Sequence, residues 1–171
     1  MSITMYQASV PVLVRGLTNL QTIIGKAQAH AAEKQIDPSV LTGARLFPDM
    51  LPLARQIHIA TDTAKGCAAR LANVDAPKFE DVEVTFDDLH ARIQKTIDYL
   101  NTFKPEQIDG TEGKSITLKM RSGPIEFTGQ NYLLAFVLPN FYFHVTTAYD
   151  ILRHNGVELG KLDYLGGRPN A

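Results

Sequence analysis

Apolar residues recur in alternating steps of four and three near the start of the chain, and this pattern constrains the fold more than any other feature. It runs through Tyr6, Val10, Leu13, Leu17, Leu20, Ile24, Ala27 and Ala31. Steps of this size place the side chains along one side of an α-helix, as in the core of a helical bundle. A helix with one apolar side must bury it against other elements. Pro11, which has no N–H, is expected to kink this helix or to mark its start.

Three later segments show the same helical spacing. The second predicted helix has Asp49 as its N-cap, and the third begins where Thr85 and Asp88 have the positions of a capping box. The fourth begins near Pro139 and ends at Gly156, residue types that favour the first turn and the C-terminal end of a helix. Their apolar residues are Met50, Leu53, Ile57, Ala60, Ala64, Cys67 and Leu71, then Leu89, Ile93, Ile97 and Leu100, then Phe141, Val145, Ala148 and Leu152.

Two short segments before the last helix alternate apolar and polar residues. Residues 115–120 and 124–128 have this period of two and are separated by a turn that contains Gly123, which predicts a β-hairpin. Residues 132–138 are apolar and either join the fourth helix or lead into it. The sequence therefore predicts an all-α fold, a four-helix bundle with a small β-hairpin before the last helix. We expect residues 1–171 to form a single domain.

Two connecting segments are polar or rich in turn residues. Residues 32–48 contain three turn-forming positions, Asp37-Pro38, Gly43 and Pro48, and predict a loop with room for one helical turn. Residues 80–83 carry three acidic side chains and are expected to form a solvated loop. The first of these connectors is long for a bundle, and we expect it to cover one end of the core.

The charge and cysteine content narrow the class of protein. The 171 residues include 17 Lys and Arg against 18 Asp and Glu, a net charge of −1. No basic field is available to bind nucleic acid, and no apolar run is long enough for a membrane span, so neither partner is expected. The only cysteine, Cys67, cannot form an internal disulfide, and the first residues do not resemble a signal peptide. We expect a cytoplasmic protein.

Two histidines are the candidate functional residues. His144 lies at the edge of the apolar side of the fourth helix, with Asn140 and Thr147 beside it, and His58 has the same boundary position on the second helix. Asp62, one turn after His58, could orient that imidazole. A pocket between the second and fourth helices could therefore bind a small-molecule ligand. Alternatively, the histidines only satisfy each other, nearby polar groups or water.

The fourth helix also resembles a known family. Residues 138–149, Leu-Pro-Asn-Phe-Tyr-Phe-His-Val-Thr-Thr-Ala-Tyr, with Ile-Leu-Arg-His-Asn-Gly at 151–156, are similar to an uncharacterised family of the DinB/YfiT-like superfamily. The opening residues 5–12, Met-Tyr-Gln-Ala-Ser-Val-Pro-Val, resemble the first helix of that family. The resemblance implies a four-helix bundle, often a homodimer. It also implies a divalent metal such as Zn or Ni held by three histidines, and for some members a thiol-dependent transferase or hydrolase activity.

The three-histidine pattern is incomplete in this chain. His58 matches the histidine of the second helix and His144 matches the first of the pair on the fourth, but Ala148 stands at the second position and has no donor atom. A catalytic metal usually needs three protein ligands, and Asp62 could supply the third.

Two hypotheses remain, and the sequence does not decide whether the chain is an enzyme. One is a bundle that binds a metal or a small ligand at His58 and His144. The other is a non-catalytic homodimeric binding or structural protein with a degenerate metal site.

Overall fold

The computed structural model describes residues 2–120 and 123–167. Four long helices form the bundle, and four short ones lie between or after them. The elements in chain order are α1 (Met5–Lys34), α2 (Pro38–Thr42), α3 (Leu53–Ala72), α4 (Phe86–Leu100), α5 (Pro105–Ile108), β1 (Ser115–Met120), β2 (Gly123–Thr128), α6 (Gly129–Asn131), a π-helical segment (Tyr132–Val137), α7 (Leu138–His154) and α8 (Lys161–Leu165). The predicted helical bundle with a hairpin before its last helix is confirmed.

The long helices pack in a ring around one apolar core. α1 contacts α4 and α7, and α3 contacts the same two helices from the other side. The residues predicted for the apolar side of α1 are buried, except for the partly buried Tyr6. α2 packs against α1 and α3 and buries Leu41, so the long connector contributes to the core as expected.

The N-terminal ends of the helices agree only partly with the sequence prediction. α1 begins at Met5, capped by Thr4, and passes through Pro11 without ending there. Thr85 and Asp88 form the predicted capping box of α4. The cap predicted at Asp49 is wrong, because α3 begins at Leu53 after Pro52. The reason is steric: a residue before proline is disfavoured in the helical region, so Leu51 does not join the helix, and Pro52 itself is extended.

The β-hairpin leads directly into the last long helix. β1 and β2 pair antiparallel with Ser115 opposite Thr128, as the alternating pattern predicted, and residues 121 and 122 of the turn lie outside the described residues. Residues 132–137 form a π-helix that continues into α7 at Leu138. The apolar run before Pro139 is therefore part of one continuous helical stretch.

The aromatic residues at the start of α7 point in different directions. Phe141 is fully buried, and one ring carbon would lie only 2.5 Å from a Cβ placed on Gly16, so α1 and α7 approach closely because position 16 has no side chain. Phe143 is 56% exposed. Tyr142 is also exposed, so two aromatics of this run face outward, and their contact with a second copy in a homodimer stays a prediction.

The C-terminal segment folds back on the bundle. α8 packs on α1, where Asn19 and Arg15 donate to the backbone carbonyls of Tyr164 and Leu165. Lys26 forms an ion pair with Asp163 at 2.6 Å. Among the helices of the described residues, none is both long and apolar enough to cross a membrane.

Candidate functional site

One side of α3 carries polar residues into the bundle. His58, Thr61, Asp62 and Lys65 follow each other at helical spacing and therefore form one stripe along the helix. His58, Thr61 and Lys65 are buried, whereas Asp62 is about half exposed. Because buried polar groups are costly unless they are hydrogen-bonded, this stripe requires partners from a neighbouring element.

Arg92 of α4 is the main partner of this stripe. Its side chain is 0% exposed. Its Nε donates to Oγ1 of Thr61 at 2.8 Å, and its Nη2 donates to Oδ1 of Asp62 at 3.0 Å. Lys65 is bound to the same Asp62 oxygen at 2.9 Å. Asp62, which the sequence suggested as a partner of His58, therefore pairs with two cations.

The acidic loop 80–83 supplies the remaining hydrogen-bond and ion-pair partners of Arg92. The Nη1 of Arg92 donates to the carbonyl of Glu80 at 3.0 Å and to Oε2 of Glu83 at 3.0 Å, while Nη2 lies 3.1 Å from Oδ1 of Asp81. Glu80, Asp81 and Val82 are exposed, as expected of a solvated loop, but the role of the loop in binding Arg92 was not predicted. The buried guanidinium offers five donors, α3 accepts from it through Thr61 and Asp62, and the loop supplies the remaining acceptors.

His58 lies between this loop and Arg55. The residue is 2% exposed. Its Nδ1 is 3.3 Å from Nη1 of Arg55, and since a guanidinium can only donate, Nδ1 accepts. Nε2 then carries the proton of the neutral ring. Nε2 is 3.2 Å from Oε2 of Glu83 but has no hydrogen bond of acceptable geometry.

The pKa values of this cluster follow from burial and from the neighbouring charges. Burial lowers the pKa of His58, the charge of Arg92 lowers it further, and Asp81 and Glu83 only partly oppose these effects. Burial alone would raise the pKa of Asp81, but its hydrogen bond and ion pair with Arg55 outweigh burial and lower it. His58 is therefore neutral near pH 7 and lies beside the ionised carboxylate of Asp81.

His58 forms part of the lining of an open cavity, which we call the His58 cleft. Its volume is about 640 Å³, within the range of small-molecule sites. The cleft lies between α2, the first turn of α3 and residues 81–85. Its lining includes Pro38, Thr42, Pro52, Arg55, Asp81 and Val84.

His144 has different neighbours. Its Nδ1 lies 2.7 Å from Oε1 of Gln56, and burial lowers its pKa. Nearby on α7, Asn140 donates to Oγ1 of Thr63 at 2.8 Å, and Thr147 donates to the carbonyl of Phe143 at 2.7 Å. All three predicted residues of α7 are thus engaged, two of them with α3.

His144 contacts α3 on a different side from the one that carries His58. Gln56, the partner of His144, is two residues from His58, which corresponds to about 200° around the helix axis. His144 is not among the residues that line the His58 cleft. The geometry therefore does not bring the two imidazoles into one pocket between α3 and α7.

The donor set does not fit the three-histidine metal pattern. Ala148 is fully buried in the core and has no donor atom, and Asp62 is bound to Arg92 and Lys65. Within residues 2–120 and 123–167 no group of three or more His, Cys, Asp or Glu side chains is arranged to hold a metal ion.

Comparisons with known proteins agree with this architecture. A family model described as a domain of unknown function, DUF1993, matches residues 5–165. The chain belongs to the DUF1993 family. The chain is similar to a DinB family member protein from Shewanella denitrificans whose crystal structure is known. The two sequences are 40% identical, and the match covers 97% of this chain and 94% of the Shewanella chain, with a TM-score of 0.89. No curated protein matches the sequence. The expected family and the DinB-like fold are confirmed.

Sequence reasoning missed the residues that surround His58 in this DUF1993 protein. Arg92 follows Leu89 by three residues and precedes Thr96 by four, so it lies on the buried side of α4. An arginine in that position needs acceptors, and the acidic run at 80–83 offers them. A buried arginine together with a nearby acidic run could therefore have predicted the contact between Arg92 and loop 80–83. Nothing in the sequence places Arg55 next to both His58 and Asp81.

The buried His58 and His144 and the partly buried His90 of α4 predict how the stability of the DUF1993 protein depends on pH. Burial lowers the pKa of His58, His90 and His144 below 6.5, the value expected in the unfolded chain. Between pH 6.5 and the lower folded values, the unfolded chain binds more protons, so the free energy of unfolding falls as the pH falls. We expect little change from these residues between pH 7 and 8 and a decline below about pH 6.5.

Urea denaturation at a series of pH values measures this dependence. The His58→Gln variant is expected to show a shallower decline between pH 5 and 6.5, by up to about one proton. His154→Gln, which removes an exposed histidine of α7, is the matched control. Equal slopes for His58→Gln and the unmodified protein would contradict the assignment of His58 as a buried neutral group.

Proposed function

We propose that this DUF1993 protein binds a small, largely apolar ligand in the His58 cleft. The observation that carries the proposal is the buried imidazole in the cleft lining, which has one nitrogen without a hydrogen bond and the other bonded only to the side chain of Arg55. Leaving a buried polar atom unpaired costs about 1–3 kcal/mol. A ligand that reorganises these contacts can recover part of that cost, which favours binding.

The walls of the cleft support an apolar ligand body. Pro38, Pro52, Ala54 and Val84 contribute much of its surface. Val84 is exposed, so apolar area is available at the entrance. Cavities that are mostly apolar and contain a few convergent polar groups are the usual form of a small-molecule site.

The chemistry of His58 allows a further role for the bound ligand. Its lowered pKa keeps the imidazole neutral near pH 7, and the carboxylate of Glu83 lies 3.2 Å from Nε2. A neutral histidine beside a carboxylate can accept a proton from a bound ligand, which suits general-base chemistry. This proposed site uses His58 without His144 and without a metal.

Proton NMR of the His58 ring during titration with a fragment library tests the proposal. Fragments that occupy the cleft are expected to shift the His58 Cε1–H resonance. Isothermal titration calorimetry, which does not need this ring, is expected to show that they bind about tenfold more weakly to His58→Gln, a loss of about 1.4 kcal/mol. His154→Gln should bind them like the unmodified protein. A library in which no fragment shifts this resonance at millimolar concentration, or in which His58→Gln binds equally well, would contradict the proposal.

A further inference from the structure

The charges around the His58 cleft favour ligands of one charge over the other. Three carboxylates line it, those of Asp37, Asp81 and Glu83, and Arg55 is the cationic side chain among its lining residues. Behind the lining, the guanidinium of Arg92 is shared by Asp62, Asp81 and Glu83. The potential inside the cleft is therefore negative, which attracts cations and repels anions.

Arg55 marks the position where a positive group is held. Its guanidinium lies between Nδ1 of His58 and the carboxylate of Asp81 and donates to both. The His58 ring is buried, so its acceptor nitrogen is held in place, whereas the Arg55 side chain is 40% exposed. An exposed ion pair of this kind contributes little to stability, so Arg55 can be displaced at small cost.

We infer that the ligand of the His58 cleft is a primary amine in its ammonium form on an apolar body, and that its nitrogen replaces the Arg55 guanidinium between His58 and Asp81. The inference rests on the function proposed above. An ammonium group is a compact donor of three hydrogen bonds and can donate to both acceptors at once. The apolar body then lies against Pro38, Pro52 and Val84.

Three probes with the same tail and different head groups test the inference: hexylammonium, hexanol and hexanoate. At pH 7.5 the first is a cation, the second is neutral and the third is an anion. Titration monitored by the His58 resonance is expected to give about threefold to fivefold tighter binding of hexylammonium than of hexanol, the range for a partly exposed ion pair, and weaker binding of hexanoate.

An Arg55→Met variant provides a second, independent test of the inference. Because it removes the internal competitor and keeps an apolar stem, it is expected to bind hexylammonium more tightly than the unmodified protein, and to widen the ratio of hexylammonium to hexanol affinity. Arg153→Met, which removes an exposed cation of α7 outside the cleft, should leave that ratio unchanged.

The outcomes separate the two proposals. If none of the three probes shifts the His58 resonance, the proposed binding function fails together with the inference. If all three bind equally, or hexanoate binds best, the cleft binds ligands but the ammonium preference is overturned. Weaker binding of hexylammonium to Arg55→Met would overturn the displacement of Arg55.

Discussion

Replacing Arg92 with methionine is expected to lower the free energy of unfolding by about 3–5 kcal/mol, as for other buried ion pairs that lose one partner. The guanidinium is fully buried and serves Thr61, Asp62, Asp81 and Glu83. Without it, Glu83 loses its arginine partner, Asp62 keeps only Lys65, and Asp81 keeps only the partly exposed Arg55. The loop 80–83 loses its attachment to α4, and the wall of the His58 cleft that it forms is expected to become mobile.

Chemical denaturation measures the loss, and two further variants define its cause. Arg153→Met removes an exposed arginine and should change the free energy of unfolding by less than about 0.5 kcal/mol. Arg92→Lys keeps the charge but cannot reproduce the donor geometry of a guanidinium, so it should recover only part of the loss. A loss below about 1 kcal/mol for Arg92→Met would mean that the ion-pair network is not a structural element of the fold.

Replacing Phe141 with alanine is expected to lower the free energy of unfolding by a similar amount, about 3–5 kcal/mol. Phe141 is among the largest fully buried side chains and fills the contact between α1 and α7. Removing its ring loses buried apolar area and leaves a cavity that two rigid helices cannot close. Thermal and urea denaturation would both show the loss, with the helical circular dichroism of the folded state retained.

Gly16 provides a paired test of the same contact. A Cβ at this position would lie 2.5 Å from the Phe141 ring, so Gly16→Ala should cost about 1–3 kcal/mol in the unmodified protein. In the Phe141→Ala background the ring is absent, and the higher helix propensity of alanine should make Gly16→Ala neutral or stabilising. Additive effects of the two substitutions would contradict the direct contact between these positions.

The long elements followed from local patterns that the chain itself carries. The steps of four and three in residues 6–31 predicted α1, and the box of Thr85 and Asp88 predicted the beginning of α4. The pattern failed where two local preferences compete: Asp49 is a good cap, but Pro52 determines where α3 begins. The π-helical turns of residues 132–137 have no such signature, because they depend on how this segment packs.

The candidate site was only partly predictable. His58 and His144 were expected at the border between core and surface, but the structure buries both, with 2% and 9% of their surface exposed. Their partners from other segments were not predicted, because the packing of the helices and of loop 80–83 brings Gln56 to His144 and Glu83 to His58. A difference of two residues along α3 sends His58 and the partner of His144 to different sides of the helix.

By itself, then, the sequence determined the number of long helices, their apolar sides, the hairpin and the family. These depend on spacing within single segments, where each residue constrains its neighbours three and four positions away. Only the tertiary structure decided that Arg92 gathers Asp62, Asp81 and Glu83 from two segments, and that Arg55 pairs with Asp81 beside His58 at the edge of a cleft. Such contacts join residues distant in the chain, and a charged group pairs with whichever counter-charge the packing of the helices brings within reach.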